Sequence, residues 1–221
     1  MAQDEGMEIA MLLFDKLAPL DAVGPFEVMR NVPGWEVRLV AQEKGTVRDE
    51  GGSLGLVADY TLEEVSAPDL VLVPGGIGNR PLLEDEQVLD WLRAVDRTSR
   101  WTTSVCTGSL LLGAAGLLQG KRATGNWLYL EQLREYGADP VGGRWVEDGK
   151  ILTAAGVTAG IDMALHLVAR EVSPEVAQAV QLGIEYDPDP PFDCGSPQKA
   201  PAEIVELVRQ VASASDPSLR V

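Results

Sequence analysis

Near the middle of the chain, Val105-Cys106-Thr107-Gly108-Ser109 separates an apolar β-rich run, residues 101–105, from an apolar helical run, residues 110–118. A buried strand that turns straight into a helix is the repeating unit of α/β architectures. The same alternation recurs along the sequence. Residues 7–14 read as a buried first strand, followed by a turn at Pro19 and a helix over about 21–30. A second strand is expected over 35–41, a hairpin excursion over 46–60 around Gly51-Gly52 and Gly55, and a third core strand over 69–73 ending at Pro74-Gly75-Gly76. An amphipathic helix over about 85–98 would bury Val88, Leu89, Trp91, Leu92 and Val95. After the central strand and helix come a helix over 126–136 and a hairpin over 144–153 turning at Asp148-Gly149. Helices over 158–172 and 174–185, a proline-rich loop and a helix over about 202–212 complete the pattern. The expected fold is a three-layer α/β/α sandwich around a mostly parallel, flavodoxin-like sheet. With no internal repeat or linker, residues 1–221 read as one domain with an ordered core over about 7–212 and a frayed tail.

Composition narrows the function. The 221 residues are 45% apolar, enough for one substantial core. A net charge of −16 repels nucleic acid and anionic membrane surfaces, so neither is an expected partner. Neither a signal-like N-terminus nor an apolar run of membrane-spanning length is read in the sequence. Two cysteines, Cys106 and Cys194, are too few for a disulfide framework, and a reducing cytoplasm is the expected compartment. The single histidine, His166, lies in an apolar helical stretch and reads as a packing residue.

Ligands of open α/β sheets sit beyond the carboxyl ends of the strands. Three groups are expected there: Cys106 after the central strand, the Gly75 and Gly76 N–H groups after the third, and Asp21 after the first. Cysteine on a strand-to-helix turn has the geometry of a nucleophile elbow. The helix end should lower its pKa and supply a thiolate near neutral pH. Asp21 also suits a helix cap, Glu27 a surface position, and Cys194 an idle thiol. Of the tryptophans, Trp127, beside Asn126, is the one expected near the pocket.

These residues resemble a known group. Leu20-Asp21-x-x-Gly24-Pro25-x-Glu27, Pro74-Gly75-Gly76, Val105-Cys106-Thr107-Gly108 and Thr158-Ala159-Gly160-Ile161-Asp162 are similar to motifs of the DJ-1/PfpI superfamily, which is class I glutamine amidotransferase-like. Residues 104–124 and the loop 180–192, running on to Gly195-Ser196-Pro197 and Ala200-Pro201, resemble its bacterial isocyanide hydratase branch. The resemblance implies Cys106 as nucleophile, Asp21 as its acid partner and Thr107 as a neighbouring hydroxyl and backbone donor. It places Gly75 and Gly76 where a glycine loop faces the cysteine. It further implies a homodimer with the site near the subunit boundary, a small-molecule substrate, and neither metal nor cofactor. The implied reaction adds water to an isocyanide to give an N-substituted formamide through a thioimidate on Cys106.

The segment departs from that group at one position. Many members carry His before the tryptophan, where this chain has Asn126 in Gly125-Asn126-Trp127. Amide hydrolysis, which relies on an imidazole to protonate a leaving amine, is disfavoured by that change. Two alternatives remain open: a Cys106 enzyme acting on 2-oxoaldehydes, and a non-enzymatic sensor in which Cys106 is oxidised. A DNA-binding regulator is not expected, because the chain is strongly acidic and ends soon after its last helix.

Overall fold

The computed structural model describes residues 6–219. Its elements in chain order are β1 (Met7–Leu12), α1 (Pro19–Met29), β2 (Trp35–Ala41), β3 (Gly45–Arg48), β4 (Gly55–Ala58), β5 (Tyr60–Thr61) and β6 (Leu70–Val73). They continue with α2 (Glu86–Thr98), β7 (Trp101–Val105), α3 (Gly108–Ala114), β8 (Arg122–Ala123), β9 (Asp139–Pro140), β10 (Trp145–Asp148) and β11 (Ile151–Ala154). Helices α4 (Ala159–Glu171), α5 (Pro174–Gly183) and α6 (Ala202–Ser215) close the order.

Among the described residues, seven strands form the main sheet in the order β10-β11-β7-β6-β1-β2-β5. All neighbours are parallel except β10 and β11. Helices α1, α4 and α5 pack together on one face, while α2 and α3 cover the other. That is the expected three-layer arrangement. Every residue of β6 and β7 is buried, because a central parallel strand covered on both faces needs apolar or satisfied side chains in both directions. Two polar residues of β7 are hydrogen-bonded, Thr103 Oγ1 donating to the Val71 carbonyl at 2.9 Å and Thr102 Oγ1 to Asp96 at 2.7 Å, while Ser104 Oγ is buried with no partner.

Local chemistry explains the boundaries. The Asp85 carboxylate accepts from the Gln87 and Val88 N–H groups and caps α2, whose buried face is Val88, Leu89, Trp91, Leu92 and Val95. The β10–β11 hairpin turns at Gly149-Lys150, one residue later than the sequence suggested. Asp148 stays paired with Ile151, and Gly149 takes the positive φ of 67° the tight turn needs. The segment expected as a helix over 126–136 instead makes a turn and a 3-10 run, Leu130–Tyr136. Its entry is tightened by Asn126, whose carbonyl accepts from the Tyr129 N–H and whose side chain accepts from Leu128. Helix α6 runs to Ser215, past the expected end, and a turn over Pro217–Leu219 follows it.

The topology positions the site. From β1 the chain steps to β2 and outward to β5, then crosses back to β6 on the other side of β1. The direction of winding therefore reverses between β1 and β6. Crevices of doubly wound sheets open at that point, outside the carboxyl ends of the strands. Asp21, Gly75-Gly76 and Cys106 follow β1, β6 and β7 at that edge. Helices α1 and α4 cross closely there. A Cβ on Gly160 would lie 2.9 Å from Pro25 Cγ and 3.0 Å from Val105 Cγ2, so the Gly24-Pro25 and Ala159-Gly160 motif residues serve helix packing.

Candidate active site

Cys106 is the first residue after β7, and its φ of 59° puts a branched-free but non-glycine residue in the left-handed region. Backbone bonds hold it there. Its N–H donates to the carbonyls of Ala154 and Ala155 at 3.1 and 3.0 Å, and its own carbonyl accepts from Ser109 Oγ at 3.0 Å. Such over-determination is what allows a strained residue to persist. The thiol is only 5% exposed. Cys106 therefore sits on the turn between β7 and α3.

Asp21, on the first turn of α1, is fully buried beside it. One carboxyl oxygen, Oδ2, accepts from the Gly75 N–H at 2.8 Å, and the other, Oδ1, is buried with no protein partner. The Cys106 thiol and this carboxyl group act on each other electrostatically. Thr107 Oγ1 accepts from the Gly76 N–H at 3.0 Å, and the Thr107 carbonyl accepts from Asn79 Nδ2 at 2.8 Å. Gly75 has to be glycine: a Cβ there would sit 2.6 Å from the Thr107 nitrogen and 2.8 Å from Asp21 Oδ2. The Gly75 and Gly76 N–H groups are thus spent on Asp21 and Thr107. This corrects the expectation that they face a substrate. They are framework for the acid and the elbow.

The donors that reach the sulfur are different. Asn126 Nδ2 donates to Sγ at 3.3 Å, and its Oδ1 accepts from the Leu128 N–H at 3.0 Å, which fixes the amide's orientation. The backbone N–H groups of Thr107 and Val157 also act on the sulfur. Val157 takes a φ of 44° to present its N–H. Sequence reasoning missed Val157 and Asn79, since both act through backbone placement or a carbonyl contact that no motif encodes. Their only trace was adjacency to the Thr158-Ala159-Gly160 and Gly75-Gly76 motifs.

Electrostatics correct a second expectation. Burial, reinforced by the Asp21 charge, pushes the Cys106 thiol up to about 12, although Asn126 and the Thr107 and Val157 N–H groups pull the other way. Helix α3 spans only Gly108–Ala114, and the largest influence on the thiol is its lost hydration. Burial likewise raises Asp21 to about 7; hydrogen bonds from Gly75 and Cys106 oppose the rise and the Glu50 charge adds to it. A buried thiol and a buried carboxyl group thus perturb each other's ionisation.

The structure does not bring the other candidates to the sulfur. Trp127 lines a cavity of about 140 Å³ with Cys194, Ile204, Val205 and Val208, a set that does not include Cys106. The Arg209 guanidinium lies 5.7 Å from the centre of its ring. Glu27 pairs with Arg30 at 3.0 Å on the outside of α1. His166 stacks on Trp145 at 3.9 Å and meets Glu147 at 2.7 Å, a packing role at the β10 edge.

Comparison with known proteins agrees with this geometry. The chain is 47% identical over 215 residues to a Pseudomonas putida protein named isonitrile hydratase, covering 97% of this chain and 92% of the relative. It is 30% identical to an Arabidopsis thaliana protein DJ-1 homolog A, covering 78% of this chain and 45% of that one. A crystal structure of a ThiJ/PfpI family protein from Pseudomonas syringae superposes with a TM-score of 0.90 at 36% identity, covering 94% of this chain and 87% of that chain. A family model described as DJ-1/PfpI matches residues 7–170, which hold the elbow, Asp21, the paired glycines and the start of α4. On the elbow, the buried acid and that match together, the chain belongs to the DJ-1/PfpI family.

Proposed function

We propose that this chain is an isonitrile hydratase, a hydro-lyase that adds water to R–N≡C and releases the N-substituted formamide. The observation that carries the reading is the buried Cys106–Asp21 pair, in which the thiol has a carboxyl group and an amide as side-chain partners instead of an imidazole. The 47% identity to the Pseudomonas putida isonitrile hydratase over nearly the whole chain supports the substrate class.

The chemistry follows from the pair. As the isocyanide enters, the thiol proton passes to Asp21 and Sγ attacks the terminal carbon. Asp21 then delivers that proton to the same carbon, giving the thioformimidate R–N=CH–S–Cys106. Asp21, again a carboxylate, draws a proton from water as its oxygen adds to the carbon, and that proton goes to nitrogen. Collapse of the adduct expels the sulfur, which recovers the hydroxyl proton as R–NH–CHO forms. The net change is addition of one water. No amine leaves, so no cationic acid is needed. Thr107 positions the elbow, and the Gly75 and Gly76 N–H groups fix the acid and the threonine.

Residues 1–221 would act as one domain in the cytoplasm, a reading supported by two free cysteines. A homodimer with the site near its boundary is supported by α1. Leu20 and Val23, flanking Asp21 on the same helix, remain 40% and 38% exposed. Among the described residues no helix is long and apolar enough to cross a membrane.

The test is conversion of an aryl isocyanide to its formamide, followed by mass spectrometry. Cys106→Ala should abolish turnover, and Asp21→Asn should lower kcat/KM by about 10²–10⁴-fold. Wild-type protein no faster than Cys106→Ala would end the proposal. Consumption of a 2-oxoaldehyde in place of the isocyanide would move the activity to another reaction class.

A further inference from the structure

We infer that Arg80 is a positioning residue for Asn126: it ties the chain's C-terminal turn to the loop that presents that amide to Cys106. The inference deepens the hydratase reading and rests on it for the kinetic readout; the ordering of the loop does not depend on a substrate.

The loop needs an external hold. Asn126 reaches Sγ at 3.3 Å from a turn, and the 3-10 run Leu130–Tyr136 follows that turn. Such runs have poorer hydrogen-bond geometry than an α-helix, so their placement depends more on side-chain contacts. Within the turn the Tyr129 N–H donates to the Asn126 carbonyl at 3.0 Å, which couples the two residues. The Arg80 guanidinium lies 4.9 Å from the centre of the Tyr129 ring, and its Nη1 donates to Gln132 Oε1 at 3.4 Å. The rest of the fork faces the chain end. Nε and Nη2 donate to Asp216 Oδ2 at 3.2 and 2.7 Å, and Nη2 also donates to Ser218 Oγ at 2.8 Å. One planar side chain thus joins its own segment to two others through both edge and face, a reach that a lysine ammonium lacks.

Both sides of this link are fixed. Asn79, the residue before Arg80, is buried and donates from Nδ2 to the Thr107 carbonyl at 2.8 Å. No residue of α6 is buried, yet Asp216 immediately after it is only 7% exposed. The Asp216 Oδ1 accepts from the Ser218 N–H at 2.9 Å, which leaves Oδ2 to the arginine. The chain end is therefore seated at Asp216, and Arg80 carries that seat to the Asn126 loop. A displacement of about 1 Å at a reacting centre can cost on the order of 10²-fold in rate, so modest loosening of the loop reaches the chemistry. Because Asn126 contacts the reacting atom, the loss should fall on kcat, with little change in KM.

Arg80→Lys keeps a cation for Asp216 but withdraws the fork, and Asp216→Ala withdraws the seat. Each should lower kcat for an aryl isocyanide by about tenfold and change KM by less than about twofold. In an Asn126→Ala background, Arg80→Lys should cost nothing further, since the residue through which it acts is gone. Peptide-resolved hydrogen exchange gives a readout that needs no substrate. Amides of residues 126–132 should exchange about tenfold faster in both variants, while those of β1 and α4 keep wild-type rates. Wild-type kcat in Arg80→Lys, full additivity with Asn126→Ala, or unchanged exchange over 126–132 would overturn the inference. Faster exchange throughout the chain would overturn it too, by showing a general loss of stability. Should Asp216→Ala fail to fold, Arg80→Lys decides. If the wild-type protein turns over no isocyanide, the hydratase reading falls and the exchange measurement alone decides the role of Arg80.

Discussion

At the scale of single residues, the site rests on a carboxyl group held where water cannot reach it. An unfolded chain ionises Asp21 near 3.8, while the folded protein does so at about 7. Between those values the native state keeps a proton that the unfolded state has already released. Stability is therefore full below about pH 4 and declines as the pH rises, the whole loss being reached above 7. A shift of this size corresponds to at most about 4 kcal/mol. Asp21→Asn, neutral at every pH, should raise the thermal unfolding midpoint at pH 8 by about 5 °C or more and make no difference below pH 4. Melts across a pH series decide this, and a midpoint at pH 8 that fell in the Asn variant would show the charge to be stabilising. Function here costs stability, because the charge that catalysis uses is one the fold disfavours.

At the scale of elements, the site is where the ends of β6 and β7 are stitched together. The Gly75 N–H holds Asp21 and the Gly76 N–H holds Thr107, so the β6 exit clamps an acid from α1 to an elbow from β7. Gly75→Ala would drive a Cβ to 2.6 Å from the Thr107 nitrogen, a backbone atom that cannot rotate away. We expect a loss of about 1–3 kcal/mol in urea unfolding together with loss of turnover, since the clamp has to open. Thr107→Val keeps the shape but strands the buried Gly76 N–H, and should destabilise by about 1–3 kcal/mol on the same measurement. Wild-type turnover in Gly75→Ala would show that the clamp does not set the geometry of the pair.

At the scale of the whole molecule, Arg80, just beyond that exit, reaches 136 residues along the chain to Asp216 at 2.7 Å. Its guanidinium also donates to Ser218 and lies 4.9 Å from the centre of the Tyr129 ring. Burial alone would raise Asp216, but Ser218 and Arg80 hold it down to about 2. That contribution is complete above the unfolded value of 3.8 and is lost as the pH falls through about 2. Asp216→Asn should lower stability at pH 7 by about 1–2 kcal/mol and speed proteolytic trimming after α6. Trimming at the wild-type rate would mean that helix packing, not this pair, secures the end of the chain.

Much was legible from sequence because period and turn chemistry are local. The fully apolar run of β6, the five buried positions of α2 and the strand–cysteine–helix turn each follow from near neighbours along the chain. The elbow and Asp21 were legible as candidates for the same reason. What only the tertiary structure decided is what those groups experience. Whether a helix end or burial governs Cys106 depends on how much water the surrounding strands and helices exclude, and burial is the larger influence. Whether the Gly75 and Gly76 N–H groups face a substrate depends on neighbours 54 and 31 positions away, which had already claimed them. Electrostatic free energy and hydrogen-bond occupancy are sums over everything nearby in space, and a linear sequence fixes only what is nearby in the chain.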